Sequence, residues 1–178
     1  MIINEERNFI FVHVPKTAGQ AVHRSLPRPR KNPWRTHQPL FRVDEETRKD
    51  KFAFGFVRNP WDRMVSLYHF VIQKPASRNP EQNRVRSQGF ERCILDWNLD
   101  SGQRDALWYL DGCDYIGKFE CLQTDFDEIC DRLKIVRRVV GKINQSVHDD
   151  YRKYYSDEMI EIVAEKHKKT IEKFNYTF

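Results

Sequence analysis

The sequence contains no apolar run near the eighteen or so residues that a membrane span needs, no internal repeat and no low-complexity tract. These absences argue against a helix through a bilayer, a solenoid or a long disordered segment. The start, MIINEERNFIF, lacks a basic stretch followed by an apolar one. No secretory signal is therefore expected, and a cytoplasmic, membrane-free protein is. The 4 cysteines, Cys93, Cys113, Cys121 and Cys130, form no CxxC pair and are not interleaved with histidines at zinc-ligand spacing. Reduced, mostly buried thiols are expected and a metal site is not.

What is present fits one soluble domain. A chain of 178 residues with 39% hydrophobic, 13% aromatic and 32% charged residues is long enough for one sizeable core and short for two. Residues 1–178 are accordingly read as a single domain. The formal charge of +5 points to an anionic ligand or partner without naming it.

Along the chain, RNFIFVHV (7–14) and KFAFGFV (51–57) read as strands buried on both faces, CDYIGKFE (113–120) as a third strand and RRVVGKI (137–143) as a fourth. Between them, GQAVHRSL makes a short helix ending at Pro27. Asn59 caps a helix with Pro60 at its first position and Asp62 in its first turn, its buried face carrying Trp61, Val65, Tyr68 and Ile72. TDFDEICDRL (124–133), capped near Thr124 or Asp125, and Ser156 to Phe174 read as further helices, with His167 on the apolar stripe of the last. The proline-rich, basic stretch from Pro27 to Pro39 reads as a connecting loop and the polar stretch 74–89 as a long loop or lid. Strands alternating with helices define an α/β class with a mainly parallel sheet flanked by helices.

Two strand-to-helix junctions, at 14–20 and 57–62, place cations at the carboxyl ends of predicted parallel strands, where open α/β sheets bind ligands. In VPKTAGQ, Gly19 permits close backbone approach, the following helix offers its positive end, and Lys16 adds a full charge. This is the design of a phosphate or sulfate cradle. It is not the triphosphatase loop GxxxxGK[ST], because Lys16 precedes the loop's glycine, and no convincing strand-terminal aspartate is present to hold magnesium. At the second junction Arg58 and Ser66 are candidates for a second phosphate. Taken singly, Lys16 reads as a solvated loop lysine, Arg58 as a partner of Asp62, and His13 as a packed strand residue.

HVPKTAG followed by FVRNPWDRMVSLYHF resembles the paired signature of sulfotransferases that use 3′-phosphoadenosine 5′-phosphosulfate (PAPS), especially the carbohydrate-type branch and its small bacterial members. The resemblance extends through YIGKFECLQTDFDEIC and from INQSVHDDYRKYY to the C-terminal helix, fading over 27–50 and 74–103. It implies a fold like that of the P-loop nucleotide hydrolases. It also implies that Pro15, Lys16, Thr17, Ala18, Gly19 and Gln20 form the loop around the 5′-phosphosulfate. Lys16 would lie on the oxygen bridging phosphorus and sulfur, and Arg58 and Ser66 on the 3′-phosphate. Gln20 stands where relatives carry Thr or Ser, an amide in place of a hydroxyl.

The reaction so implied is metal-free, in-line transfer of a sulfuryl group to a hydroxyl of a carbohydrate or small metabolite. His37 is the candidate general base, since a neutral imidazole takes a proton near pH 7. Lys142, Asn144 and Ser146 are weaker binding candidates, and Arg28, Arg30, Lys31 and Arg35 could guide an anionic acceptor. The alternatives are a nucleotide-dependent kinase on a related fold and a non-enzymatic polyanion-binding module. The leading reading calls for neither a nucleic-acid nor a membrane partner.

Overall fold

The computed structural model describes residues 1–29, 37–73, 79–95, 103–141 and 149–178. In chain order the strands are β1 (Ile2–Asn4), β2 (Phe9–Val12), β3 (Phe52–Val57) and β4 (Tyr115–Lys118). The helices are α1 (Gly19–Ser25), α2 (Glu45–Arg48), α3 (Pro60–Ile72), α4 (Pro80–Gln88), α5 (Phe90–Leu95), α6 (Ala106–Leu110), α7 (Leu122–Arg132), α8 (Asp157–Lys166) and α9 (Lys168–Phe174). The chain forms two compact units, Met1–Arg58 with Ala106–Ile143, and Asn59–Asp105 with Asn144–Phe178.

The first unit holds a 4-stranded sheet in the order β1-β2-β3-β4. β2, β3 and β4 run parallel, whereas β1 is antiparallel to β2. The core is a stack of apolar side chains: Phe9, Phe11, Phe54 and Phe56 from the strands, Val22 and Leu26 around α1, and Phe126 and Ile129 from α7. Continuous apolar runs at β2 and β3 form these strands because both of their faces are covered. β1 was not expected from the sequence. It is short, and the turn returning it to β2 is built by Asn4, whose side-chain oxygen accepts from the N–H groups of Glu6 and Arg7 at 3.1 and 2.9 Å.

No strand forms over 137–141, against the sequence expectation. There the backbone is held by a side chain instead of a ladder. The Gln123 oxygen accepts from Val140 N at 2.9 Å, and its amide donates to the Arg138 carbonyl at 3.2 Å. Arg137 pairs with Asp131, and Val136 and Val139 are exposed. α7 also starts differently. Cys121 stands at its N-cap with no side-chain bond, and the Asp125 carboxylate accepts from Lys118 N.

The second unit is helical. α3 begins as expected, with the Asn59 side chain accepting from the N–H groups of Trp61 and Asp62 and with Pro60 in its first turn. Its apolar face packs with α5 and α8 around Met64, Val65, Phe90, Ile94, Met159 and Val163. The polar stretch expected to be a loop contains α4, started by Asn79 and Pro80, ended by Gly89 at φ 85° and anchored by a fully buried Val85. The single C-terminal helix expected from the sequence is two, parted at His167, whose backbone leaves helical geometry at φ −114°, ψ 20°. Residues 30–36, 74–78 and 142–148, which include Arg30, Lys31, Arg35, Lys142, Asn144 and Ser146, lie outside the described residues.

Candidate functional site

Parallel pairing brings the carboxyl ends of β2, β3 and β4 to one edge of the sheet in the first unit. Val12 registers with Gly55 and Val57 with Lys118. The turn at 13–18, Arg58 and Phe119 therefore leave the sheet side by side.

The turn has an unusual backbone. Lys16 and Ala18 both take left-handed conformations, at φ 67° and 60°, while Thr17 between them and Gly19 after them do not have positive φ. Left-handed geometry costs a non-glycine residue on the order of 1 kcal/mol or more, and such strain gathers at functional loops. Alternation of left- and right-handed residues turns successive N–H groups toward one concavity, a nest that accepts an anion. α1 follows directly, its N-cap being Ala18 with no side-chain cap bond, and the Ala18 carbonyl accepts from Ala21 N at 2.9 Å and Val22 N at 3.1 Å. Thr17 braces the turn from inside: its hydroxyl donates to the Val14 carbonyl at 3.0 Å and its side chain is buried. Pro15 is buried, Lys16 half-buried and Gln20 exposed.

Arg58 joins the second predicted junction to the first. Its Nη1 donates to the Lys16 carbonyl at 3.3 Å, and its guanidinium lies 4.2 Å from the centroid of the Phe119 ring. Ser66 lies in α3 of the second unit and is 4% exposed.

His37 reaches the same region of the first unit. Its Nδ1 lies 3.1 Å from the carbonyl oxygen of His13. A carbonyl only accepts, so Nδ1 carries the proton in the neutral ring and Nε2 keeps its lone pair, as a general base requires. The His13 and His37 rings are 4.6 Å apart at 58°. His13 itself is buried, and its pKa is pushed down to about 3, first by loss of solvent and then by the charge of His37 and other nearby cations. It is a neutral packing ring at physiological pH. It also explains Gly19: a Cβ there would stand 1.8 Å from His13 Cδ2. The sequence reading assigned that glycine to anion approach and missed the imidazole behind it. The strand alternation that points His13 toward the turn was the available signal.

A cavity of about 600 Å³, lined by residues including Glu46, Arg48, Lys51 and Asp114, lies toward the start of β3, away from the Arg58 end. Among the described residues no group of three or more His, Cys, Asp or Glu side chains is placed to hold a metal ion. No helix of the described residues is long and apolar enough to cross a membrane.

The first unit is thus a mainly parallel α/β sheet with a strained turn carrying Lys16 at its carboxyl edge. The family is specific: a sequence model described as the sulfotransferase family matches residues 1–177, and the chain belongs to that family. It is thus a transferase, of the kind that moves sulfuryl groups. No curated protein and no solved structure gives a significant match.

Proposed function

We propose that the protein is a PAPS-dependent sulfotransferase of P-loop-like fold, working in the cytoplasm as one domain over 1–178 on a hydroxyl of a carbohydrate or small metabolite. The observation that carries the reading is the turn 15–20, where alternating backbone handedness and Lys16 make a cradle for a tetrahedral anion. Its fit to a phosphosulfate rests on that concavity and on the cation beside it. The family resemblance assigns Arg58 and Ser66 to the 3′-phosphate. Gln20, exposed at the start of α1, offers an amide donor where a hydroxyl stands in relatives.

The chain's residues then divide the work. His37 Nε2 takes the proton of the acceptor hydroxyl, whose oxygen forms the new bond to sulfur. The bond from sulfur to the bridging oxygen breaks, and its electron pair stays on that oxygen. Lys16 and the turn's N–H groups stabilise the charge that develops there, a contribution typically of about a hundred- to a thousandfold in rate per donor. His37 adds roughly a hundred- to ten-thousandfold as base. No metal is needed for either task.

The test is thermal shift with adenosine 3′,5′-bisphosphate, 5′-AMP, and ATP with magnesium. A ligand that binds only the native state raises the melting temperature by mass action. The bisphosphate is expected to give the largest shift. A shift no greater than that from 5′-AMP overturns the assignment, and a larger one from ATP with magnesium favours a kinase.

A further inference from the structure

The geometry points to Phe119 as a positioning residue: its ring face holds the Arg58 guanidinium against the Lys16 carbonyl, so that the conformation of the anion-binding turn is set from the end of β4. The strand register produces this arrangement. Val57 and Lys118 are the last pair of the parallel ladder, and the next residue of each segment is Arg58, just beyond β3, and Phe119, which opens a 3-10 turn. Leaving adjacent strand ends, the two side chains meet, and the guanidinium sits 4.2 Å from the ring centroid. The same guanidinium donates to the carbonyl of Lys16, the first of the two left-handed residues of the turn.

The order of contacts is therefore Phe119 ring, Arg58 guanidinium, Lys16 carbonyl. A cation over an aromatic face is attracted by the ring quadrupole while its edge N–H groups stay available for hydrogen bonds. Phe119 thus orients Arg58 without occupying its donors. An aliphatic residue of similar volume fills the space but supplies no quadrupole, which removes one of the contacts that orient the guanidinium toward the Lys16 carbonyl.

For ligand binding the inference rests on Arg58 as a phosphate ligand; in the free protein it stands without that. The first readout is therefore NMR of the unliganded chain. The Arg58 side-chain protons are expected upfield of their usual positions because of the ring current. That displacement should vanish in Phe119→Leu and persist in Phe119→Tyr, and the amide signals of residues 16–18 should move in the Leu variant only. The second readout is calorimetric binding of adenosine 3′,5′-bisphosphate. Phe119→Leu is expected to weaken it about three- to thirtyfold, the span of cation–π energies from exposed to desolvated sites, and Phe119→Tyr to restore it.

In an Arg58→Ala background the Leu substitution should have no further effect, because the coupling runs through the guanidinium. Arg58 signals at ordinary positions, or a loss of affinity from Phe119→Leu that is the same in both backgrounds, would overturn the inference. Failure of the wild type to bind the bisphosphate, with the ring-current displacement present, would overturn the donor reading and leave the positioning role standing.

Discussion

At His13, burial converts a residue type often chosen for proton chemistry into a structural ring. Its pKa in the folded protein, about 3, lies well below the 6.5 of a free imidazole, and the largest cause is desolvation. The unfolded chain therefore binds the proton more readily over that interval. Stability from this group is complete above pH 6.5 and is lost as pH falls toward 3, by at most about 1.4 kcal/mol per pH unit for one proton. His167, fully buried in the second unit, is pushed down in the same direction by burial and then by Arg63. The two losses therefore add. Urea unfolding at pH 7.5 and pH 5.0 should show the wild type losing stability on acidification and His13→Gln losing clearly less, whatever its absolute stability. An equal loss in the two proteins would mean that His13 is not held neutral by the fold. Gly19 belongs to the same argument, since the imidazole is packed where a Cβ would go.

Among the elements, α3 shows how much one side chain contributes at a helix start. The Asn59 oxygen accepts from Trp61 N and Asp62 N, while its amide donates to the Thr177 carbonyl at 3.0 Å. Replacing a capping Asn by Ala costs about 0.5–2 kcal/mol. Asn59→Ala should therefore lower stability by at least that much in denaturant titration, and Asn59→Asp should recover the cap but not the bond to Thr177. If Asn59→Asp matched the wild type, the amide bond would carry no weight. This helix was legible in the sequence because its signals are local: a cap, a proline and an apolar period.

The same Asn-Pro pair starts α4 at Asn79 and Pro80, yet that segment read as a loop. Its polar face and single deeply buried Val85 leave little period to detect. The reverse error at 137–141 has the same root. Val136, Val139 and Val140 have strand-like composition, but the partner for this backbone is the side chain of Gln123, remote in sequence. At the site, the placement of Lys16, Gly19 and Arg58 at strand ends was legible in the sequence. The supporting residues His13 and Phe119 were not, because their roles come from register and packing across distant segments.

For the whole chain, the question is whether two compact units behave as one domain. Neither unit is contiguous: the first takes Met1–Arg58 and Ala106–Ile143, the second Asn59–Asp105 and Asn144–Phe178. Within each, the two segments depend on one another. In the first, β3 pairs with β4, and Asp114 exchanges bonds with Ala53, accepting from its N–H at 2.7 Å and donating to its carbonyl at 2.8 Å. In the second, the Asp105 carboxylate accepts from Thr170 N and its hydroxyl at 3.2 and 2.6 Å, and Arg63 donates to the Arg104 carbonyl with His167 beside it. No uninterrupted piece of the chain contains a complete core, so forming either unit requires the chain to have passed through the other's sequence. We therefore expect differential scanning calorimetry to give one transition whose calorimetric and van't Hoff enthalpies agree, the mark of all-or-none unfolding. Adenosine 3′,5′-bisphosphate should move that whole transition upward. Two resolved transitions, with only one responding to the ligand, would show that the units unfold independently and would sink the single-domain reading.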